Sequence, residues 1–397
     1  MFYTAISGLN AFRQQLAVIS DNIANSQTAS YKGGDVSFAE VIAAAGSVGS
    51  GVNVQDISLG WTQGAISNTG NANDYAVTGA GFFVVRDTAG GTGYTRDGQF
   101  SFNATGSMVN ADGMTVQGFA IDPITGIVSN IYSNITISAA PIPATATTSM
   151  STTVNLNSSA LVGATSAFSA TVNTYDSLGN ATPVTITFQK TAANTWSYTP
   201  TIPAATGAVT SGAGTLTFNA AGALVAVADP TITFTLLSGA TSPQTVTWDT
   251  TTAGATNGSL TQYAASSALY SMTQNGTATG QLTGISSADS GIITASYSNG
   301  MTRSLYQIAL ADFQNYDGLS KSGNNLYRDT PAITGGPILG VAGVGRFGTM
   351  ASGSVEASNV DMAKEMANMI LAQRSYESCA RVFSTESEML KTVVNMT

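Results

Sequence analysis

The chain has 397 residues, room for more than one domain, and it is acidic: 22 Asp and Glu against 13 Lys and Arg give a net charge of −9. That sign is wrong for a nucleic-acid-binding face and for adsorption to an anionic membrane. With no histidine and a single cysteine, Cys379, the chain can build no His-based triad, no thiolate metal cluster and no internal disulfide.

The first element is a helix at the very start. Phe2, Ile6, Leu9, Phe12, Leu16, Ile19 and Ile23 recur in steps of four and three, the repeat of a helix–helix seam. Asn25 and Ser26 offer a stop, and Gly33-Gly34 breaks the pattern. The start lacks a basic leader region, and Arg13 and Asp21 interrupt any apolar core, so no cleaved secretory signal is expected.

The middle of the chain reads as β-structure. "DYAVTGAGFFVVRD" carries apolar runs on either side of Gly79 and Gly81. Asp97-Gly98 and Asp112-Gly113 sit between strand-like segments and predict hairpin turns. After Ala140 the composition shifts, and "PIPATATTSMSTT" reads as a linker. From Pro141 to Gln281 the only charged residues are Asp176, Lys190, Asp229 and Asp249. The segments "FSATVNTYD", "PVTITFQK", "TWSYTP", "GTLTFNA", "TITFTLL" and "TVTWD" alternate with turn residues there, the pattern of an all-β sandwich or barrel. Beyond Gln281 charge returns, and a Gly-rich stretch from Gly335 to Gly353 leads to the last element. That element is a second helix with the same spacing: Met362, Met366, Met369, Gln373, Tyr376, Ala380, Phe383, Ser387, Leu390 and Val394. Ser358 or Asn359 is placed to cap it.

Candidates for chemistry do not survive inspection. "GVGRFG" fits G-x-G-x-x-G, but a dinucleotide site needs a strand just before it and a helix starting at it; here the next helical pattern begins later. Asp87, Asp97, Asp112 and Asp122 stand near turns, where Asp is expected for backbone reasons, and none pairs as acid and base. Trp61, Trp196 and Trp248 fall in β-patterns and read as core. No catalytic residue, metal ligand or cofactor is expected. No segment reaches the about 20 apolar residues of a membrane helix. What remains is the pair of terminal seams, which lack an obvious partner inside the β-regions and would be buried by bundling with copies of themselves.

Several blocks resemble the rod and hook axial protein family of the bacterial flagellum. The first is "SGLNAFRQQLAVISDNIANSQTASYK", with Ser7, Gly8, Leu9, Asn22 and Asn25 in place. "DYAVTGAGFFVV" and "YTRDGQFSFNATGSMVNADGMTVQGF" are similar to the family's β-core. "GVGRFGTMASGSVEASNVDMAKEMANMILAQRSYESCARVF" is similar to its C-terminal block, with Ser358, Asn359 and Val360. The resemblance is nearer to the hook side, because rod proteins lack a second large β-domain; the distal rod protein is the alternative, and a secreted carbohydrate-binding module a remoter one.

The resemblance implies a non-enzymatic structural subunit that self-assembles into a flexible helical tube carrying torque from rod to filament. It implies homo-oligomerisation, contacts with the distal rod protein, the hook cap and the hook–filament junction proteins, and export through the flagellar type III apparatus to the extracellular hook. The expected fold is mainly β with long α-helical termini. A coiled-coil-like terminal assembly domain is expected at 1–34 and 355–397, and an extended linker region at 35–70 and 335–354. A discontinuous β-domain is expected at 71–144 and 281–334, with an inserted all-β sandwich or barrel at 145–280.

Overall fold

The computed structural model describes residues 2–42, 49–123, 125–225, 229–250 and 259–395. The chain is mainly β, with helices α1 (Phe2–Ala24), α2 (Pro331–Thr334) and α3 (Met362–Asn395). It divides into two compact units: unit 1 comprises 1–138, 284–295 and 302–397, and unit 2 comprises 139–283 and 296–301.

In unit 1 the region expected as a linker holds an antiparallel strand pair, β1 (Gly34–Ile42) and β2 (Gly49–Leu59). Asp35 stands opposite Ser58 and Glu40 opposite Val52, with a bulge between Ser37 and Phe38. Val36, Phe38, Val52, Val54 and Ile57 supply the β-branched and aromatic content that composition alone understated. The remainder of the unit is organised by strands Phe82–Arg86, Thr92–Thr95 and Thr115–Ile121. Phe83 pairs with Thr95 and Val85 with Val116. Phe82, Val84, Tyr94, Phe119, Ala309, Ala311, Phe313 and Tyr327 share a core with the partly buried Trp61 and Tyr316. Its rings meet edge to face, Tyr94 on Phe313 at 4.8 Å and Trp61 on Phe82 at 5.6 Å, the arrangement favoured by ring quadrupoles.

One of the two expected Asp-Gly hairpins forms. At Asp112-Gly113 the amide of Gly113 (φ +77°) donates to Asn110, and Val109 pairs with Thr115. At Asp97-Gly98 the flanking strands do not pair: Ser101–Phe102 pairs with Met108–Val109 instead. Gly98 is needed there for another reason. Its carbonyl accepts from the Tyr75 amide at 3.0 Å, and a Cβ would sit 1.8 Å from the Tyr75 carbonyl oxygen.

The chain returns to this unit along its early strands. Thr349–Ser352 pairs with Tyr75–Thr78, and Ser354–Glu356 pairs with Ile66–Asn68. Residues 357–361 then lead into α3.

Unit 2 contains a six-stranded and a four-stranded sheet. The segments expected as strands are Phe168–Tyr175, Ala181–Ala192, Thr195–Thr201, Gly214–Thr217, Thr231–Leu236 and Gln244–Asp249. Burial alternates along them, as period-2 patterning dictates. Val184, Ile186, Phe188 and Trp196 of the smaller sheet share one core with Ile232, Phe234, Val246 and Trp248 of the larger. Both indoles find acceptors: Trp196 Nε1 donates to Gln262 Oε1 at 3.0 Å and Trp248 Nε1 to Thr152 Oγ1 at 3.1 Å. The opposite faces carry hydroxyls. Thr171, Thr185 and Thr201 stand side by side, as do Ser169, Thr187 and Thr199.

Candidate assembly interface

α1 lies between two neighbours. On one side Phe12 meets Phe38 of β1 at 6.0 Å, and the Val52 amide of β2 donates to Ser7 Oγ at 3.2 Å. Gly51 makes that approach possible: its φ is +116°, and a Cβ there would lie 2.1 Å from Ser7 Oγ. On the other side α1 runs antiparallel to α3. Gly8 meets Cys379, and Asn22 Nδ2 donates to Glu365 Oε2 at 3.4 Å. This register sets Phe2 opposite Thr385, so that 386–395 run on past α1.

The closest approach uses small side chains. Ala5, Gly8 and Ala11 are buried along α1, in line with the buried Ile19 and Asn22, and Ala372 is buried on α3 midway between Glu365 and Cys379. A Cβ on Gly8 would lie 3.0 Å from Cys379 Sγ. Of the seam residues expected on α1, Ile19 is buried, and Ile6, Leu9, Phe12, Leu16 and Ile23 are half-buried; the Phe2 side chain lies outside the described residues. On α3 the expected seam is rotated away from α1. Met362, Met366, Tyr376, Leu390 and Val394 are exposed, Gln373 is exposed, and Met369, Ala380, Phe383 and Ser387 are half-buried. Ile370 borders this stripe, while Leu371, Val382 and Met389 are exposed on the other side of the α1 contact. Periodicity found the bulky stripe, but the line of small residues that selects the intramolecular partner carries no hydropathy signal.

The motif residues act as fasteners where the helices meet the strands. Asn22 closes a two-way bond with Gly34, donating to its carbonyl at 2.8 Å and accepting from its amide at 2.9 Å. Asn25 ends α1, with backbone and side chain both donating to the Asp21 carbonyl at 3.0 Å. Asn359 Oδ1 accepts from the Gly33 amide at 2.9 Å, while its Nδ2 donates to the Gly60 carbonyl at 2.6 Å. Val360 packs against Gly33. The helix cap expected at Ser358 or Asn359 is Asp361, whose Oδ1 accepts from the amides of Ala363 at 2.9 Å and Lys364 at 3.2 Å. Asn359 is occupied by the splice, and Ser358 Oγ accepts from Val360 instead.

Beside the splice lies a buried charge knot. Glu356 is fully buried, Lys32 is 1% exposed and Arg96 is 6% exposed. Lys32 Nζ reaches Glu356 Oε1 at 2.7 Å, the Gly64 amide donates to the same oxygen at 2.8 Å, and Arg96 stands 3.7 Å from Oε2. Arg96 also donates to the Gly79 carbonyl at 2.7 Å and lies over the Phe82 ring at 5.1 Å. Burial lowers the pKa of both cations, and the nearby Glu356 carboxylate opposes that shift. Next to it Tyr31 donates to Asp21 Oδ2 at 2.9 Å beneath Lys321 Nζ, 4.7 Å from the ring. Burial, then Asp21, raises the Tyr31 phenol well above its ordinary range.

Comparison with known proteins finds four family models along the chain, one of which runs across the boundary between the two units. The family model for the flagella basal body rod protein matches residues 2–32, and that for the flagellar hook protein FlgE/F/G D1 domain matches 76–157. The flagellar basal body protein FlaE D2 domain matches 161–277, and the flagellar basal body rod FlgEFG protein C-terminal model matches 351–396. The flagellar hook protein FlgE of Escherichia coli K12 is 37% identical over 100% of this chain and 99% of its own length. That of Salmonella typhimurium is 38% identical over the same shares, and that of Borreliella burgdorferi 30% identical over 99% of this chain and 98% of its own. These full-length matches favour the hook reading over the distal rod. The crystal structure of Helicobacter pylori flagellar hook protein FlgE2 covers 72% of this chain and 98% of that one with a TM-score of 0.53; at 14% identity the likeness is one of fold.

Proposed function

We infer that this chain, which belongs to the flagellar hook protein family and is a structural subunit of the hook, polymerises through its terminal helices into a flexible tube. The observation that carries this reading is the exposed apolar stripe of α3, from Met362 to Val394, on the helix whose small residues are already spent on α1. Apolar area of this extent on a helix calls for a partner, and the same stripe on neighbouring copies supplies one in a coiled-coil-like bundle.

Unit 2 would make the contacts that slide as the tube turns. Of its few charges, Asp176 and Lys190 are buried, and its outward rows of Thr and Ser bond to one another, Thr171 to Thr185 at 2.8 Å and Ser169 to Thr187 at 3.1 Å. Contacts between such faces break no buried ion pair when their register shifts. The distal rod protein, the hook cap and the hook–filament junction proteins are the proposed partners along the axis. Export through the flagellar type III apparatus to the outside of the cell is the proposed route, suited to a chain without disulfides.

Electron microscopy of the purified, concentrated chain tests the reading. Tubes are expected, and a chain ending at residue 359 is expected to stay dispersed. Tubes formed by the shortened chain would overturn the role of α3, and irregular aggregates in place of tubes from the full chain would overturn the polymer reading itself.

A further inference from the structure

The charge knot joins parts of unit 1 that are remote in sequence. Lys32 and Arg96 belong to its first segment; the carboxylate between them comes from residue 356, which is 324 positions after Lys32. Among the described residues Lys32 Nζ has one other hydrogen-bond partner, the Thr62 carbonyl at 2.8 Å. Arg96 has the carbonyls of Val77 and Gly79 and the Phe82 ring. Asp312, the other carboxylate acting on Arg96, is already engaged by Arg346 and by Tyr316. Two cations would therefore be buried without an anion if residues 30–32, 60–66 and 75–98 docked before residue 356 arrived, and burying an unpaired charge is strongly unfavourable.

The backbone around Glu356 makes the same point. Ser30 donates its amide to the Glu356 carbonyl at 2.7 Å, and Ala357 donates to Ala65 at 2.8 Å. Gly64 is pressed so closely on this segment that a Cβ would lie 2.0 Å from the Ala357 carbonyl oxygen. Residues 354–357 are a plug between early segments, not an added edge. Unit 2, by contrast, draws its core from one stretch, Met150 to Leu260.

We propose that the Lys32–Glu356–Arg96 knot is a chain-completion lock: unit 1 stays open until its C-terminal segment delivers the Glu356 carboxylate, while unit 2 closes on its own. Lys32 follows α1 closely and Glu356 shortly precedes α3, so the same event fixes the antiparallel register of the two helices. A subunit governed in this way does not present a finished α1–α3 pair before the whole chain is available. The carboxylate acts by its charge. Arg96 meets it as an ion pair rather than a hydrogen bond, and Oε2 has no hydrogen-bond donor, so an amide is no substitute.

Refolding of the full chain with pulsed hydrogen exchange, read segment by segment, tests the lock. Protection is expected at 184–190 and 232–236 before 75–98. Glu356→Gln leaves both cations without an anion whenever unit 1 closes, so it is expected to slow closing of unit 1 about tenfold or more and to speed its opening. A closing rate within about threefold of the parent chain's would overturn the lock, because closure would then not wait on the carboxylate. The variant Lys32→Met/Arg96→Leu/Glu356→Leu removes every charge from the knot and keeps the test decisive where Glu356→Gln does not fold. In it, protection of 75–98 is expected to come no later than that of unit 2; if it still comes last, charge is not what delays closure.

Discussion

Replacing Met366 and Ile370 on α3 separates the role of the exposed stripe from the stability of the subunit. Their side chains remain 51% and 53% exposed, so about half of each is left for a neighbour to cover. Full burial of such a side chain is worth about 1.5–3 kcal/mol, so the uncovered half amounts to about 1 kcal/mol apiece. Met366→Ala/Ile370→Ala should therefore weaken each addition step by about 2 kcal/mol, raising the critical concentration for assembly about thirtyfold. Glu at the same positions would place a carboxylate in an apolar contact and should abolish assembly over any practical range. Ala and Glu are both good helix formers, so α3 itself is not weakened. Sedimentation of polymer against total protein reads the critical concentration, and the thermal melt of the dispersed chain controls for folding. Lys364→Ala, at an exposed polar position of the same helix, serves as the neutral comparison. Assembly of the Glu variant at the parental concentration would refute the reasoning, and so would a melt lowered as far as the assembly is weakened.

Gly8→Ala forces a methyl to within 3.0 Å of Cys379 Sγ; it should destabilise the α1–α3 pair by about 1–3 kcal/mol and speed thiol labelling of Cys379, with Cys379→Ala restoring the melting temperature. Asp361→Ala removes the acceptor for the first amides of α3 and should cost about 0.5–2 kcal/mol, seen as faster amide exchange at Ala363 and Lys364 and unchanged exchange at Ala372. In alkali, Tyr316 is held neutral by burial and then by its bond to Asp312, its pKa pushed from 10.0 to about 12. The folded state therefore keeps a proton that the unfolded chain loses, so stability is full below pH 10 and declines as the pH rises toward 12. Tyr31, Tyr94 and Tyr327 are shifted the same way. The melting temperature of unit 1 should fall across that window, and phenolate absorbance should appear with unfolding; free titration of these tyrosines in the folded chain near their ordinary value would contradict their burial.

Hydropathy reads bulk and periodicity, and it reads them well where one face of an element is buried against a core. The strands of unit 2 alternate in sequence because they alternate in burial, from Val184, Ile186 and Phe188 to Ile232 and Phe234. The α1–α3 pair escapes this logic because close helix packing is set by what is missing. Gly8, Ala11 and Ala372 contribute little to any apolar stripe, yet they decide which face of α3 turns inward and which is left for another molecule. The Asp361 cap was hidden by more attractive neighbours: Ser358 and Asn359 have the right chemistry, but Asn359 is drawn off by Gly33 and Gly60. The charge knot carries no local signal at all, since its members are ordinary singly and acquire meaning only through pairing across hundreds of residues.

The scarcity of charge and its placement form one design. A chain with only 35 residues of Asp, Glu, Lys and Arg still buries Lys32, Arg96, Glu356 and Asp312 in unit 1, and Asp176 and Lys190 in unit 2. These buried charges fix internal geometry, where removing one partner is costly, and the outward rows of unit 2 carry hydroxyls. Each subunit is thereby stiffened through its rare charges. Between such hydroxyl rows no ion pair has to break when the register shifts. A tube built from such subunits concentrates its compliance between copies rather than within them, which is the mechanical requirement for a joint that bends while each of its parts keeps its fold.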